Sequence, residues 1–249
     1  MKTHGKNAII YNKNNMNIDS LKFFLSTEQK CSYLDDRTSA SIFADPEGEM
    51  STALYSVLIN HGFRRSANYV YRPHCPSCKA CKPTRVPVQL FTASRNQKRV
   101  WKKNQDVNVT EAKPEYNNEH FELYKKYIRY RHQNGDMDHD DPKRYFEFLD
   151  SDWCDTTFYE FRLEEKLVAV AATDLLTQGL SALYTFFDPE LEKRSLGTYA
   201  ILWQIKQAES LHKPYLYLGY WIKDCQKMQY KNKFKPLEIW DEEKWRDQK

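Results

Sequence analysis

The chain has 249 residues, 41% of them hydrophobic, which suffices for the core of one large or two modest domains and excludes disorder of the whole chain. The longest aliphatic run, residues 167–172, is far shorter than the roughly 20 apolar residues of a membrane-spanning helix. No signal-peptide apolar region opens the chain, and six cysteines are too few for a disulfide scaffold at this length. We therefore predict a soluble cytoplasmic protein.

The net charge of +4 conceals an uneven distribution. Residues 50–105 contain 11 Lys and Arg and no Asp or Glu, which leaves 27 basic residues against all 34 acidic ones in the rest of the chain. A second basic stretch near the C-terminus sets five lysines against Asp224: Lys223, Lys227, Lys231, Lys233 and Lys235. Each phosphate that such residues neutralise releases counterions and adds salt-dependent affinity. The pattern favours a polyanion-binding surface over its alternative, a solvated basic face.

The first part of the chain alternates between loops and short elements. Residues 1 to about 30 are polar and rich in Asn, which predicts a frayed start before a first strand or short helix. Asp45 as a cap and Pro46 as the first helical residue predict a helix that ends near residues 60–62. Two predicted strands, residues 67–70 and 85–90, flank a loop that carries three cysteines.

The pattern changes beyond residue 110. Amphipathic helices are predicted over residues 117–130 and after Pro142, with a polar, turn-like stretch over 132–141 between them. An antiparallel meander, a helix and a strand follow, at residues 156–163, 167–175, 180–187, 198–212 and 215–218. This order predicts an α/β (α+β) fold, with an acyltransferase-like catalytic domain over residues 111–249. A basic, cysteine-containing N-terminal domain over residues 1–110 is predicted to pack on it.

The turn before the 198–212 helix is the first candidate site. Arg194 and Gly197 precede a helix N-terminus whose free N–H groups can bind a phosphate. GNAT acyltransferases bind the pyrophosphate of coenzyme A with an Arg/Gln-x-x-Gly-x-Gly/Ala turn, but Tyr199 stands here where the last small residue is expected. Tyr199 therefore argues against coenzyme A. The alternative is a simple strand-to-helix turn.

Cysteines and aromatic residues supply two further candidates. The run from His74 to Cys81 has the Cys-x-x-Cys spacing of metal sites but lacks the second, distant pair of a zinc ribbon. Its thiols either bind a metal or pack and line a pocket. Aromatic rings close to basic residues can stack on bases, although most aromatic residues belong to the core. Tyr220 and Trp221, beside Gly219, are the ones predicted to line a cleft.

Several segments together resemble the arginyl-tRNA–protein transferase family, and more closely its bacterial branch, the aspartate/glutamate leucyltransferases. They are residues 31–34 (CSYL), 62–66 (GFRRS), 69–73 (YVYRP), 184–189 (YTFFDP), 195–199 (SLGTY), 219–222 (GYWI) and 225–231 (CQKMQYK). The resemblance runs from about residue 30 to about residue 240, and it implies a GNAT-like acyltransferase domain with an N-terminal domain packed on it. It implies transfer of leucine from leucyl-tRNA to the α-amine of proteins that begin with Asp or Glu, which marks them for N-degron proteolysis.

The resemblance also bears on cofactors. Eukaryotic relatives carry cysteine pairs linked to an iron–sulfur cluster, and of those positions only Cys31 and Cys81 remain here, with Leu34 and Ala80 at the other two. We therefore predict no cofactor. If a metal binds, the candidate ligands are Cys31, Cys75, Cys78 and Cys81.

Candidate site residues follow from the chemistry of an activated ester, which needs alignment, proton removal and oxyanion stabilisation. Tyr184 and Asp188 are the catalytic candidates, and Asp188 is alternatively a cap for its turn. The predicted donor or tRNA contacts are Arg194, Gly197, Tyr220, Lys227 and Lys231. The predicted contacts to the acidic acceptor are Tyr33, Arg37, Arg64, Arg65 and Arg72.

Three alternatives to this activity stay open at the level of sequence. The first is the same reaction with an arginyl donor. The second is an acetyltransferase that uses acetyl-CoA on protein amines. The third is a metal-bearing tRNA-binding module without catalysis.

Overall fold

Residues 21–131, 138 and 140–248 are described by the structure, a computed structural model. The predicted frayed start up to residue 20 and most of the predicted turn over 132–141 lie outside these residues. The described chain forms fourteen strands in three sheets, together with five α-helices and short 3-10 turns.

The smaller sheets belong to the N-terminal part of the chain. A four-stranded sheet has the order β1-β4-β6-β5, and β2 pairs with β3 in a two-stranded ribbon. The bounds are β1 Phe23–Leu25, β2 Gln29–Lys30, β3 Thr38–Ser39, β4 Ser41–Ala44, β5 Arg64–Ser66 and β6 Tyr69–Pro73. The loop between β6 and the next strand carries Cys75, Cys78 and Cys81.

An eight-stranded mixed sheet forms the centre of the molecule, in the order β14-β13-β7-β12-β11-β10-β9-β8. Its strands are β7 Lys82–Pro87, β8 Val107–Ala112, β9 Thr156–Leu163, β10 Lys166–Leu176, β11 Gly179–Phe187, β12 Tyr215–Trp221, β13 Glu238–Asp241 and β14 Lys244–Asp247. Strands β9, β10 and β11 form the predicted antiparallel meander. The predicted mixed α/β class is thus confirmed.

Five α-helices accompany the sheets: α1 Thr52–Asn60, α2 Arg95–Lys103, α3 Asn118–Arg131, α4 Pro142–Leu149 and α5 Leu196–Ser210. The predicted start of α1 at Pro46 is wrong, because Ser51 caps the helix by accepting a hydrogen bond from the Leu54 N–H. Asp45 instead closes a tight turn, in which it accepts hydrogen bonds from the N–H groups of Glu47 and Gly48.

Both faces of the large sheet are covered, as the alternation of its buried residues shows. Ala169 and Ala171 of β10 point to the cluster with α5 and α2, whereas Val170 and Ala172 point to the cluster with α3 and α4. A third cluster joins α1 and the four-stranded sheet to the end of β10 and to β12. None of the described residues forms a helix long and apolar enough to cross a membrane.

The large sheet takes strands from both sides of the predicted boundary at residue 110. Strand β7 lies between β12 and β13, and β8 forms the opposite edge beside β9. The division into residues 1–110 and 111–249 stays a prediction.

Candidate active site

Strands β11 and β12 are parallel neighbours that separate along their length. Their register runs from Gly179↔Tyr215 to Ser181↔Tyr217. Among the described residues, the C-terminal halves of the two strands are therefore not paired with each other. Leu183 is an extra residue at this point, because Ala182 and Tyr184 oppose consecutive residues of β10. Bulges of this kind bend a strand and redirect its side chains, often beside active sites. We call the space between the diverging strands the strand gap.

Arg64 of β5 occupies the strand gap. Its Nη2 donates to the carbonyl oxygen of Ala182 at 3.3 Å and to that of Leu183, the bulge residue. On the other side lies Gly219 of β12, with φ +74°, where a Cβ atom would stand 1.5 Å from Arg64 Nη1. Arg64 is half-buried and has no carboxylate partner among the described residues. A guanidinium in this position can bind an incoming anion.

Aromatic side chains pack around Tyr184, the residue after the bulge. Tyr184 of β11 packs edge-on against Phe148, with ring centroids 5.1 Å apart, and lies against Tyr127 at 6.4 Å. Burial raises the pKa of the Tyr184 hydroxyl well above its ordinary value, so this group is a neutral phenol at physiological pH. Tyr230, which is exposed, interacts electrostatically with both Tyr184 and Arg64. A neutral phenol can donate a hydrogen bond and is a poor base.

Tyr220 and Lys231 stabilise the β12 side of the strand gap. The Tyr220 hydroxyl lies 3.1 Å from the carbonyl oxygen of Gly62 and 3.2 Å from that of Tyr71, which ties β12 to the four-stranded sheet. Lys231 is 6% exposed, and its Nζ donates to the Tyr220 carbonyl oxygen. Burial, and then the Arg64 charge, lower the pKa of this amine well below its ordinary value. Lys231 thus does not lie on the surface, whereas Lys227 is exposed.

The other predicted acceptor contacts have different surroundings. Arg65 is 1% exposed and ion-paired with buried Asp174, so we do not propose it as a contact to substrate. Arg72 donates to the His61 carbonyl oxygen at 2.9 Å and lies over the Phe63 ring. Arg37 is exposed beside Asp36 and donates to the Cys78 sulfur at 3.2 Å.

Tyr33, also a predicted acceptor contact, lies closer to the strand gap. Its side chain is 49% exposed, and its hydroxyl interacts electrostatically with Tyr71 and Arg64. Arg64 and Tyr33, both predicted acceptor contacts, therefore lie within electrostatic reach of each other.

Asp188 follows β11, and its buried carboxylate is paired with two lysines. The carboxylate is 1% exposed, Lys126 Nζ lies 2.7 Å from Oδ1, and Lys166 Nζ lies 2.8 Å from Oδ2. Oδ1 also caps the following 3-10 turn at the Glu190 N–H. Burial by itself would raise the pKa of Asp188, but the two lysines outweigh it and hold that pKa below its ordinary value. This geometry is that of the predicted turn cap, so we do not propose Asp188 as a base.

Arg194 and Gly197 lie at the start of α5. Both terminal nitrogens of Arg194 bind Asp106, at 2.8 and 2.9 Å, and this pair joins the loop after α2 to the turn before α5. A Cβ atom at Gly197 would stand 2.9 Å from the Phe187 ring, so glycine lets α5 begin close to the end of β11. Ser195 adopts φ +53° and leaves the helix without a side-chain cap. Tyr199 points away from this turn and packs 5.3 Å from Trp101 of α2.

Four other cysteines lie close to Cys81. Burial, and then the neighbouring thiols of Cys75, Cys31, Cys78 and Cys225, raise the pKa of Cys81 to about 12. All six cysteines are free thiols. In the part of the chain that the structure describes, no three His, Cys, Asp or Glu side chains are arranged to hold a metal ion. We therefore derive no chemical step through a metal.

Several residues of this region escaped sequence reasoning. Lys126 and Lys166, which compensate Asp188, come from segments with no motif of their own. Tyr230 lies within a segment that resembles the family, but nothing in the sequence indicates its proximity to Tyr184 and Arg64. The close approach of Gly219 to Arg64 joins residues 155 positions apart, which no local pattern reveals.

The fold and the strand gap define an α/β protein. Its two diverging parallel strands hold an arginine that has no carboxylate partner among the described residues. Residues 29–99 and 119–241 match the models described as arginine-tRNA-protein transferase, N terminus and C terminus. The chain belongs to the arginine-tRNA-protein transferase family and is an aminoacyltransferase, which confirms the resemblance seen in the sequence.

Curated relatives specify the branch. Proteins named aspartate/glutamate leucyltransferase are similar over nearly their whole length, with 52% identity in Nitrosococcus oceani over 90% of this chain and 94% of the relative. The identity is 48% in Pseudomonas syringae pv. tomato, over 90% and 96%, and 49% in Alcanivorax borkumensis, over 93% and 96%. A solved structure of L-PGS from Bacillus licheniformis aligns at TM-score 0.46 and 10% identity, over 67% of this chain and 51% of that one.

Proposed function

We propose that this protein transfers leucine from leucyl-tRNA to the α-amine of proteins that begin with Asp or Glu, and so marks them for N-degron proteolysis. The name shared by relatives at about half identity supports both the leucyl donor and the acidic acceptor. The family model names tRNA and protein as substrates of the reaction. Because the donor is an aminoacyl-tRNA, we further place the protein in the cytoplasm.

The position of Arg64 in the strand gap is the observation that supports a mechanism for this activity. An acceptor protein with an acidic N-terminal residue brings a carboxylate into the strand gap. An unpaired carboxylate in a partly buried site is strongly unfavourable. Arg64 offers a half-buried guanidinium without a carboxylate partner among the described residues, fixed by two carbonyl oxygens of β11. A charge-assisted hydrogen bond from it would select Asp and Glu over neutral residues. Tyr33, within electrostatic reach of Arg64, is the second proposed acceptor contact.

Chemistry at the aminoacyl ester needs alignment and a donor for the tetrahedral oxyanion, since the ester is already activated. Tyr184 follows the bulge of β11, and its neutral hydroxyl is a hydrogen-bond donor. We propose that Tyr184 binds either the attacking amine or the developing oxyanion at the strand gap. The uncapped start of α5 at Gly197, next to Phe187, is the proposed contact for the terminal phosphate of the donor.

Of the other predicted donor contacts, three are proposed to position the site and one to contact tRNA. Arg194 is neutralised by Asp106 and therefore orients the α5 turn. Tyr220 and Lys231 position β12 from inside the protein. Lys227, which is exposed on the C-terminal basic segment, is the one that we propose to contact tRNA directly.

At the level of architecture, we propose a GNAT-like acyltransferase domain over residues 111–249 with a basic N-terminal domain over 1–110 packed on it. Two parallel strands joined by a crossover helix, with a cleft at their carboxyl ends, support the first part. Arg64, which reaches from the four-stranded sheet into the strand gap, supports a shared site.

The proposal is tested with purified protein, leucyl-tRNA or arginyl-tRNA carrying a radiolabelled amino acid, and peptides that begin with Asp, Glu, Ala or Lys. The expected result is leucine on the Asp and Glu peptides alone. Arginine on the same peptides would keep the site and correct the donor. Binding of tRNA without transfer of either amino acid would overturn the proposal in favour of a binding module.

A further inference from the structure

Helix α2 presents a ridge of positive charge. Arg95, Lys98, Arg99 and Lys102 are all exposed and occupy positions i, i+3, i+4 and i+7, which share one side of an α-helix. The opposite side, Gln97 and Val100, is buried. We call these four residues the α2 ridge.

The α2 ridge is unfavourable for an isolated helix. Like charges three and four residues apart repel, and Arg95 places a cation at the positive end of the helix dipole. The helix contains no acidic residue, and none of the four cations forms an ion pair among the described residues. Uncompensated repulsion of this kind is relieved by an anionic partner.

Each end of α2 contacts a further segment that carries basic residues. At its N-terminal end, Gln97 Nε2 donates to the Lys233 carbonyl oxygen at 3.0 Å, and the Thr92 N–H donates to that of Lys235. The two basic stretches of the sequence therefore meet here, with Lys233 and Lys235 both exposed. At its C-terminal end, Asn104 Nδ2 donates to the Arg194 carbonyl oxygen at 2.9 Å, so the α2 ridge ends at the turn before α5.

We propose that the α2 ridge binds the sugar–phosphate backbone of the double-helical acceptor arm of the donor tRNA. Double-stranded RNA is recognised mainly through its shape, its phosphates and its 2′-hydroxyls, and a line of Arg and Lys side chains meets the phosphates. An RNA helix fits better than a membrane surface, because the apolar side of α2 is packed on α5 and has no freedom to insert. The identity of this RNA as the amino-acid donor rests on the proposed function.

The test compares two variants from which the same amount of charge is removed. In the ridge variant, Arg95, Lys98, Arg99 and Lys102 are replaced by Gln, which retains good helix propensity. In the control variant, Gln replaces four exposed lysines outside α2: Lys30, Lys113, Lys143 and Lys244. Affinity for deacylated tRNA is measured by fluorescence anisotropy at several salt concentrations, and thermal unfolding confirms that both variants fold.

The ridge variant is expected to bind tRNA at least about tenfold more weakly, with a salt slope that falls by about one unit for each phosphate that is no longer neutralised. The control variant is expected to stay within about twofold of the native protein. Equal affinities and slopes for the two variants would overturn the inference. Native binding to anionic lipid vesicles that depends on the α2 ridge, with tRNA affinity unchanged, would overturn it as well.

Transfer kinetics separate this inference from the proposed function. With the ridge variant, the KM for leucyl-tRNA should rise while kcat at saturating donor stays native, because the α2 ridge binds RNA away from the reacting atoms. If the native protein transfers no leucine but the ridge variant still binds tRNA more weakly, the proposed function fails and the RNA surface stands. Native transfer together with an unchanged KM in the ridge variant would remove the RNA surface and leave the proposed function.

Discussion

Adjacent arginines on β5 show how far neighbouring residues can differ in function. Arg64 points into the strand gap, whereas Arg65 binds Asp174 and Thr156 in the interior. Sequence reasoning placed both in the acceptor site because Asp174, 109 positions away, leaves no local signature. Side-chain alternation along a strand separates them in the fold.

Loss of one partner from the Arg65–Asp174 pair should strongly destabilise the protein. Asp174→Asn leaves a buried guanidinium without its counter-charge, which costs about 3–5 kcal/mol of unfolding free energy. Urea unfolding followed by circular dichroism measures this change. Glu242→Gln, which removes the exposed Arg246–Glu242 pair, serves as the control and should cost no more than about 1 kcal/mol. Equal effects of the two substitutions would contradict the account.

Gly219→Ala is predicted to affect both stability and acceptor binding. At φ +74° an alanine is strained by more than about 1 kcal/mol, and its Cβ would displace the Arg64 guanidinium. We therefore expect a higher KM for Asp and Glu peptides, measured as initial rates of leucine transfer. Gly48→Ala, where the nearest neighbouring atom is 3.3 Å away and φ is not positive, should leave that KM unchanged. An unaltered KM in Gly219→Ala would show that Arg64 has no part in acceptor binding.

Lys231 should make the free energy of unfolding depend on pH. Its pKa is depressed in the folded state, so between that value and the ordinary value of 10.5 the unfolded chain binds a proton that the folded chain does not. This difference makes the free energy of unfolding rise with pH in that range. In Lys231→Met the rise is absent, so the variant's stability relative to the native protein should fall as the pH rises through that range towards 10.5. Lys227→Met, on the same segment, controls for the removal of one charge, and parallel stability curves for Lys231→Met and the native protein would contradict the prediction.

At the scale of elements, α2 depends on its first turn. Ser94 accepts from the Gln97 N–H, and the Gln97 side chain accepts from the Ser94 N–H, which forms a capping box. Ser94→Ala should therefore cost about 0.5–2 kcal/mol in unfolding free energy. Because α2 carries the ridge, tRNA affinity should weaken too. Ser210→Ala, at the end of α5, is the control, and a Ser94→Ala protein as stable as this control would refute the role of the box.

Most helices and strands between residues 117 and 221 were predictable, although their boundaries were less so, whereas α2, β13 and β14 were not predicted. Periods of 3.6 and 2 in residues 117–187 identify α3 and the meander because their buried faces dominate the sequence. The start of α1 was misjudged because Asp45-Pro46 is a turn signal as well as a helix signal. The bulge at Leu183 and the separation of β11 from β12 depend on packing against other strands, so the sequence does not reveal them.

At the scale of the molecule, the candidate site is assembled from distant segments. Arg64 comes from the four-stranded sheet, Tyr184 from β11, and Gly219 from β12, and three separate cores hold these elements in place. The two basic stretches of the sequence are neighbours in the fold, because Gln97 and Thr92 donate hydrogen bonds to the carbonyl oxygens of Lys233 and Lys235. Sequence reasoning therefore found the class of substrate and the residue types, whereas their arrangement required the fold.

The most direct test of the central claim compares peptides that begin with Asp and with Asn, which differ in charge but hardly in shape. Leucine transfer from leucyl-tRNA is measured as kcat/KM for each peptide. A charge-assisted hydrogen bond of about 1.5–3 kcal/mol predicts a preference for Asp of about 10- to 150-fold. Equal values for the two peptides would contradict an acidic acceptor site built around Arg64.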